Sequence, residues 1–294
     1  MLRGRRDRRR ARLGRPVGGS PTSTAACRST PTRFDIASVS EQFTGPTVLR
    51  LAEAGELELN EVVEAHLDGM PSWAESVTIA DLLHHTSGIP DYTGLLLDAG
   101  FSLDDTTTQQ DAVDVIAETE LEFEPGDEFS YSNSNYVLLA SIVEAVTGEP
   151  FADVLARESF GDADLRLEPA STAADVALSY EDGELSQPGW LQVGDGSIVG
   201  TPSEVALWGS VYADDSDPAV VAMTAEAVVD GGGALYGGGI GISPVGDLFH
   251  RGGWAGFVTL FGVSADRTTV IVATCNETAL PVDTIGAGLL EIWG

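Results

Sequence analysis

Lysine is absent from this chain. All 15 basic residues are Arg, set against 46 acids, for a formal net charge of −31. Nucleic-acid binding needs clustered cations, so a globular protein this acidic is not expected to bind it. Cysteine is almost as scarce. Cys27 and Cys275 are the only two; they sit in no metal-ligand spacing and cannot build a disulfide framework, so free thiols are expected. The four His include the pair His84–His85, which lacks a third ligand at useful spacing. Neither a metal nor a cofactor is expected. No apolar run reaches the ~18 residues of a membrane helix. The most apolar stretches, around Gly256–Val263 and Val270–Cys275, have strand length.

The charge that is present divides along the chain. Residues 1–33 carry ten Arg and one acid, Asp7, a net of about +9. Residues 34–294 carry five Arg and 45 acids, a net of about −40. Such a body repels itself in dilute buffer and calls for a salt-rich medium. The arm shows neither helical nor strand periodicity. Its Arg-rich start is not followed by the apolar h-region of a secretory signal, so the expected location is cytoplasmic. Three readings of residues 1–33 stand side by side: a disordered polyanion-binding tail, a segment docked on its own acidic body, or an out-of-frame or mis-started translation with the true N-terminus missing. The abrupt change at Phe34 favours the third.

From Phe34 onward the pattern is that of one domain, residues 34–294, with 43% apolar residues over the whole chain. Val39, Phe43, Val48 and Leu51 recur at near-helical spacing, and Pro46 within that run is expected to kink or split the helix. Short helices are expected over Asn60–His66 and Ile79–His85, then a turn-rich loop from Thr86. Residues 110–118 and 135–148 look helical, and Thr201-Pro-Ser is a helix-start signal. After Gly237, Gly-rich turns separate the β-type runs Leu248–Trp254, Gly256–Val263 and Thr269–Thr274, before a terminal helix. Helices followed by an antiparallel meander make the chain α+β.

Three short segments carry chemistry together: Ser38-Val39-Ser40-Glu41, Tyr131-Ser132-Asn133, and His250-Arg251-Gly252-Gly253. With the intervening phrases VTIADLLHHTSGIPDY and GDGSIVGTPSEVALW, their order resembles the serine β-lactamase and penicillin-binding-protein superfamily, closest to its class C-like branch. The resemblance runs from Phe34 to the C-terminus. It implies an antiparallel sheet flanked by helices, with a helical subdomain, and acyl transfer through a covalent serine on a small ester, amide or β-lactam. Carried over by position, Ser38 is the nucleophile and Tyr131 its proton partner. Asn133 and Gly252 belong to the substrate site, and His250 supplies a polar or cationic group. The backbone N–H groups of Ser38 and Gly253 form the oxyanion hole. Strand alternation turns Arg251 away from His250. His84, His85 and Ser87 are read as structural. A monomer is expected.

The chain departs from the family twice. Where the motif calls for Lys it has Glu41, one helical turn from Ser38. A carboxylate there opposes a serine alkoxide by roughly 3 kcal/mol at ~5 Å and an effective dielectric near 20. Glu41 could serve as a base if burial raised its pKa toward 7; otherwise the enzyme is weakened or inert. A catalytically inactive, ligand-binding relative is therefore the alternative function, and polyanion binding by the Arg-rich arm a more distant one. The second departure is at the front. Family members place a helix and a hairpin ahead of the nucleophile helix, and here the Arg-rich arm takes their place, so an exposed sheet edge is expected.

Overall fold

A computed structural model describes residues 32–213, 216–279, 284–286 and 288. The readings made for the rest of the N-terminal arm, for Cys27 and for most of the terminal helix fall outside the described residues.

The body opens with a two-residue strand, β1 (Phe34–Asp35), and a 3-10 turn, Ala37–Ser40, that runs directly into α1 (Glu41–Ala54). α1 ends at Gly55 in the left-handed conformation, φ +74. Pro46 lies inside α1 without splitting it. Proline clashes with the Cβ of a preceding helical residue, and here that residue is Gly45, which has none. The missing Cβ serves tertiary packing too, since one at residue 45 would lie 2.1 Å from the Gly238 carbonyl oxygen.

Helices α2 (Ile79–Leu83), α3 (Tyr92–Asp98), α4 (Gln109–Ala117), α5 (Asn133–Thr147) and α6 (Phe151–Glu158) follow. Thr78 and Thr108 close capping boxes with Asp81 and Asp111, which fixes the starts of α2 and α4. The helix expected over Asn60–His66 is only a 3-10 turn, Val63–Ala65. Next come β2 (Arg166–Leu167), the hairpin β3 (Ser179–Glu181) and β4 (Glu184–Ser186), and β5 (Ile198–Gly200). α7 (Pro202–Trp208) begins at the expected Thr201 cap, and α8 (Pro218–Ala225) follows. The chain then forms β6 (Val228–Val229), β7 (Leu235–Tyr236), β8 (Gly241–Ile242), β9 (Leu248–Trp254), β10 (Phe257–Val263) and β11 (Val270–Cys275).

These last six strands make one antiparallel sheet, ordered β11-β10-β9-β8-β7-β6. A small sheet, β1-β5-β2, carries the entry to α1. Alternation sets which side of the large sheet is buried: His250 and Gly252 point inward on β9 while Arg251 is exposed. On β10, Phe257, Thr259, Phe261 and Val263 are buried. Phe43, Val48, Leu82, Leu138, Leu139, Ile142, Phe151 and Phe261 belong to the single core that the helices share with this sheet. Among the described residues, the outer edge of β11 has no partner strand in the sheet.

Arg33, the last residue of the basic arm, is buried with the body. It bridges Asp164 at 2.5 Å, Asp175 at 3.4 Å and Glu204 at 3.0 Å. The described body therefore begins one or two residues before the change of composition at Phe34.

Candidate active site

Ser38 sits in the 3-10 turn at the head of α1. The turn is pinned from behind by Asp35, whose Oδ1 accepts the Ala37 N–H at 2.8 Å. Ala37 is held at φ +49, a costly conformation for a residue with a Cβ. Strain of this kind surrounds the site: His85, Ser197 and Ala255 also have positive φ. Across the turn lies β9. A Cβ at Gly252 would meet the Ile36 carbonyl oxygen at 2.3 Å and the Ser38 nitrogen at 3.1 Å, so only glycine lets this strand lie so close to the turn. Gly253, by contrast, faces open space and lines a cavity together with Ser38 and Asn133.

The Ser38 hydroxyl also faces the phenol of Tyr131. Tyr131 as a residue is 39% exposed, but its hydroxyl turns inward and donates to Glu41 Oε1. Burial and the adjacent Glu41 carboxylate push this phenol well above its ordinary pKa. Asn133 is anchored rather than free: its backbone N–H and its Nδ2 both donate to Asp91 Oδ2, at 2.8 and 2.7 Å.

Glu41 is wholly buried, at the centre of a polar cluster. Besides Tyr131, it accepts a hydrogen bond from the Tyr236 hydroxyl. His85 Nε2 is 3.3 Å and His250 Nε2 3.5 Å from its Oε2. Burial alone would raise the Glu41 pKa. The two imidazoles outweigh burial and hold the carboxyl down at about 2. Burial thus does not turn Glu41 into a base near neutrality.

The hydrogen bonds assign the protons. His85 Nδ1 lies 3.2 Å from the Ser132 backbone N–H and 3.0 Å from Asn135 Nδ2, and both of these can only donate. Asn135 is oriented in turn by Ser87, whose hydroxyl donates to its Oδ1 at 2.6 Å. His85 Nδ1 is therefore an acceptor, and the ring proton sits on Nε2, aimed at Glu41. His250 Nδ1 lies 2.9 Å from the Arg251 carbonyl oxygen, which can only accept, so Nδ1 carries a proton. Its Nε2 lies 2.9 Å from the Tyr236 hydroxyl. While Tyr236 donates to Glu41, Nε2 is left to donate to Tyr236, and His250 then pairs as an imidazolium with the Glu41 carboxylate.

The structure therefore gathers Ser38, Glu41, Tyr131 and His250 in one place, with Asn133 and Gly253 lining the adjoining cavity; Gly252 packs against the Ser38 turn instead of lining it. It adds two residues that the motifs did not supply. His85, read as structural, is a direct partner of Glu41. Tyr236 links Glu41 to His250. A signal for Tyr236 was present in the three glycines that follow it: Gly239 has φ +92, and a Cβ there would stand 2.4 Å from the Glu41 carbonyl oxygen. The chain after Tyr236 must press against the head of α1. His85 offers no such signal. Among the described residues no group of His, Cys, Asp and Glu is arranged to hold a metal ion, and no helix is long and apolar enough to cross a membrane.

A family model described as Beta-lactamase matches residues 13–290. The chain belongs to the beta-lactamase family. Penicillin-binding protein 4* of Bacillus subtilis is 39% identical over 129 residues, covering 43% of this chain and 28% of that protein. Protein flp of Staphylococcus aureus is 36% identical over 129 residues, 41% of this chain and 24% of that protein. The alignments thus span about a quarter of these relatives' length. Among solved structures, the penicillin-binding protein from Bacillus halodurans superposes with a TM-score of 0.77 at 24% identity, over 88% of this chain and 85% of that one. A D-stereospecific amidohydrolase from Streptomyces sp. gives 0.72 at 22% identity, over 86% and 84%. The octameric penicillin-binding protein homologue from Pyrococcus abyssi gives 0.73 at 24%, over 89% and 66%. These likenesses establish the β-lactamase and transpeptidase-like fold, and the family is one of serine hydrolases.

Proposed function

We propose that this protein is an acyl-serine hydrolase acting on a small ester, amide or β-lactam, with turnover slowed by Glu41. The observation that carries the reading is the position of Ser38, whose hydroxyl faces Tyr131 on one side and a cavity lined by Asn133 and Gly253 on the other. Ser38 attacks the carbonyl carbon and passes its proton to the Tyr131 oxygen, while Tyr131 gives its own proton to Glu41. The backbone N–H groups of Ser38 and Gly253 receive the oxyanion. The weak link is the final acceptor. A base works best with a pKa near the operating pH, and a carboxylate held at about 2 is far below it.

That same saturation of Glu41 by donors supports a second reading, an inert relative that keeps the pocket and binds a ligand without turnover. Labelling with a fluorophosphonate or a fluorescent β-lactam separates the two. Covalent adduct on Ser38, lost in Ser38→Ala, is the expected result. No adduct after prolonged exposure of the folded protein would leave only the binding role. The active unit is taken as a monomer, which light scattering checks directly.

A further inference from the structure

The cavity beside Ser38 has a composition of its own. It is partly open to solvent, with about 50 Å3 of space for water-sized groups. Three aromatic rings line it: Tyr92, Trp190 and Trp254. They form a continuous wall, with Tyr92 and Trp190 centroids 6.3 Å apart and Trp190 and Trp254 centroids 5.6 Å apart. One carboxyl shares this lining, that of Asp195, which is only 9% exposed. Among the described residues its side-chain partner is Tyr92, whose hydroxyl donates to Oδ2 at 3.1 Å. No basic side chain lines the cavity. Asp91 and Glu41 lie close enough to add their fields at Asp195. A buried carboxyl among aromatic faces, without a cation of its own, is the environment that takes up an ammonium group, through a charge-assisted hydrogen bond and cation–π attraction.

We propose that this cavity selects substrates whose acyl part carries an ammonium group, held by Asp195 against Tyr92, Trp190 and Trp254. The inference rests on the reading of Ser38 as the acyl-accepting residue, and it takes the group entering the cavity to be the acyl side of the reacting bond. The substrate class becomes small aminoacyl esters and amides. Burial and the nearby carboxylates raise the Asp195 pKa to about 8. An entering ammonium supplies the opposite charge that favours the ionised form, so its binding releases a proton near neutrality.

The test uses glycinamide and propionamide, which differ by an ammonium in place of a methyl group of similar size. Calorimetry on the unmodified protein should show glycinamide bound about tenfold more tightly, or more, the ratio expected of one charge-assisted hydrogen bond. The same preference should hold in Ser38→Ala and fall to about one in Asp195→Asn. Equal affinity in the unmodified protein, or a preference that survives Asp195→Asn, overturns the proposal. If Asp195→Asn does not fold, Trp254→Leu replaces it: this variant removes one aromatic face and should weaken glycinamide several-fold more than propionamide, and an unchanged ratio counts against the proposal. Binding is read without turnover, so the two proposals fail separately. A protein that prefers glycinamide but never labels at Ser38 sinks only the hydrolase reading. One that labels but shows no preference sinks only this inference.

Discussion

Tyr131 stands between Ser38 and Glu41, donating to the carboxylate while its oxygen faces the serine. Any proton leaving Ser38 by this route ends on a residue that holds protons poorly. Glu41→Lys replaces that acceptor with an amine and reverses the local charge. Hydrolysis of a chromogenic β-lactam or nitrophenyl ester should rise by about two decades. The gain should vanish with Ser38→Ala and largely with Tyr131→Phe, because the groups act as a unit. A parent already fast, and slowed by Glu41→Lys, contradicts this account of Glu41.

Glu41 should matter to stability in a pH-dependent way. Its folded pKa, about 2, lies below the ordinary 4.5. The unfolded chain therefore binds the proton first on acidification. The stabilisation is complete above about pH 4.5 and is lost as pH falls toward 2. Glu41→Gln should remove this acid-sensitive component and lower stability at pH 6. Urea denaturation at pH 3, 4.5 and 6 measures it, and parallel curves for parent and variant would show that the cluster does not hold Glu41 ionised.

Asp195 and Asp35 should act in the opposite sense. Burial raises Asp195 to about 8 and Asp35 to about 6, from an ordinary 3.8. Between about pH 4 and those values the folded state binds protons that the unfolded chain has released. Their contribution to stability therefore declines as pH rises through this window, by up to about 1.4 kcal/mol per unit for each group. Asp195→Asn should flatten the slope up to pH 8 and make the protein more stable than the parent at pH 8.5. A variant less stable than its parent there would mean that Asp195 is ionised in the folded state.

The charge of the body should make folding depend on salt. Five Arg against 45 acids after residue 33 leave self-repulsion that screening relieves. The melting temperature should climb as ionic strength rises from ~0.1 M toward molar. A flat or falling trend in a scanning-calorimetry series removes the salt-adapted reading.

Arg33 should be worth more than its place in the basic arm suggests. It is the cation for Asp164, Asp175 and Glu204, and its own side chain is only 10% exposed. Arg33→Ala should cost about 1–3 kcal/mol in chemical denaturation, because three carboxylates lose their shared partner. No change would mean that water replaces it at no cost.

Much of the site was legible because its motif residues answer to backbone geometry. Gly252 must be glycine beneath Ile36 and Ser38, Ser38 must head a helix, and Tyr131 and Asn133 share one short segment that opens α5. Such constraints leave fixed spacings in the chain. His85, Tyr236 and Asp195 reach the site by tertiary packing, from a helix end, a two-residue strand and a loop, so no local period marks them. Among the elements, the sheet strands and capped helices were readable from alternation and from Thr201. The path of α1 through Pro46 was not, because it depends on Gly45 relieving a clash that Pro usually makes. The 3-10 turn at Val63–Ala65 was overread because a single turn shows too few residues to reveal its period.

The bond inventory around Glu41 has one more consequence. With the His85 proton placed on Nε2, a single proton is left to share along Glu41, Tyr236 and His250. If it rests on His250, that trio is a zwitterion; if it moves to Glu41, the trio is uncharged. Its sum is zero in either arrangement. What Ser38 experiences is therefore the field of a dipole, and a dipole's potential fades faster with distance than that of an isolated carboxylate. The neighbour that makes Glu41 tolerable to the fold thus also blunts its effect on Ser38. Replacing His250 with a residue that cannot carry charge would restore the monopole and leave the serine worse off than the glutamate alone now makes it.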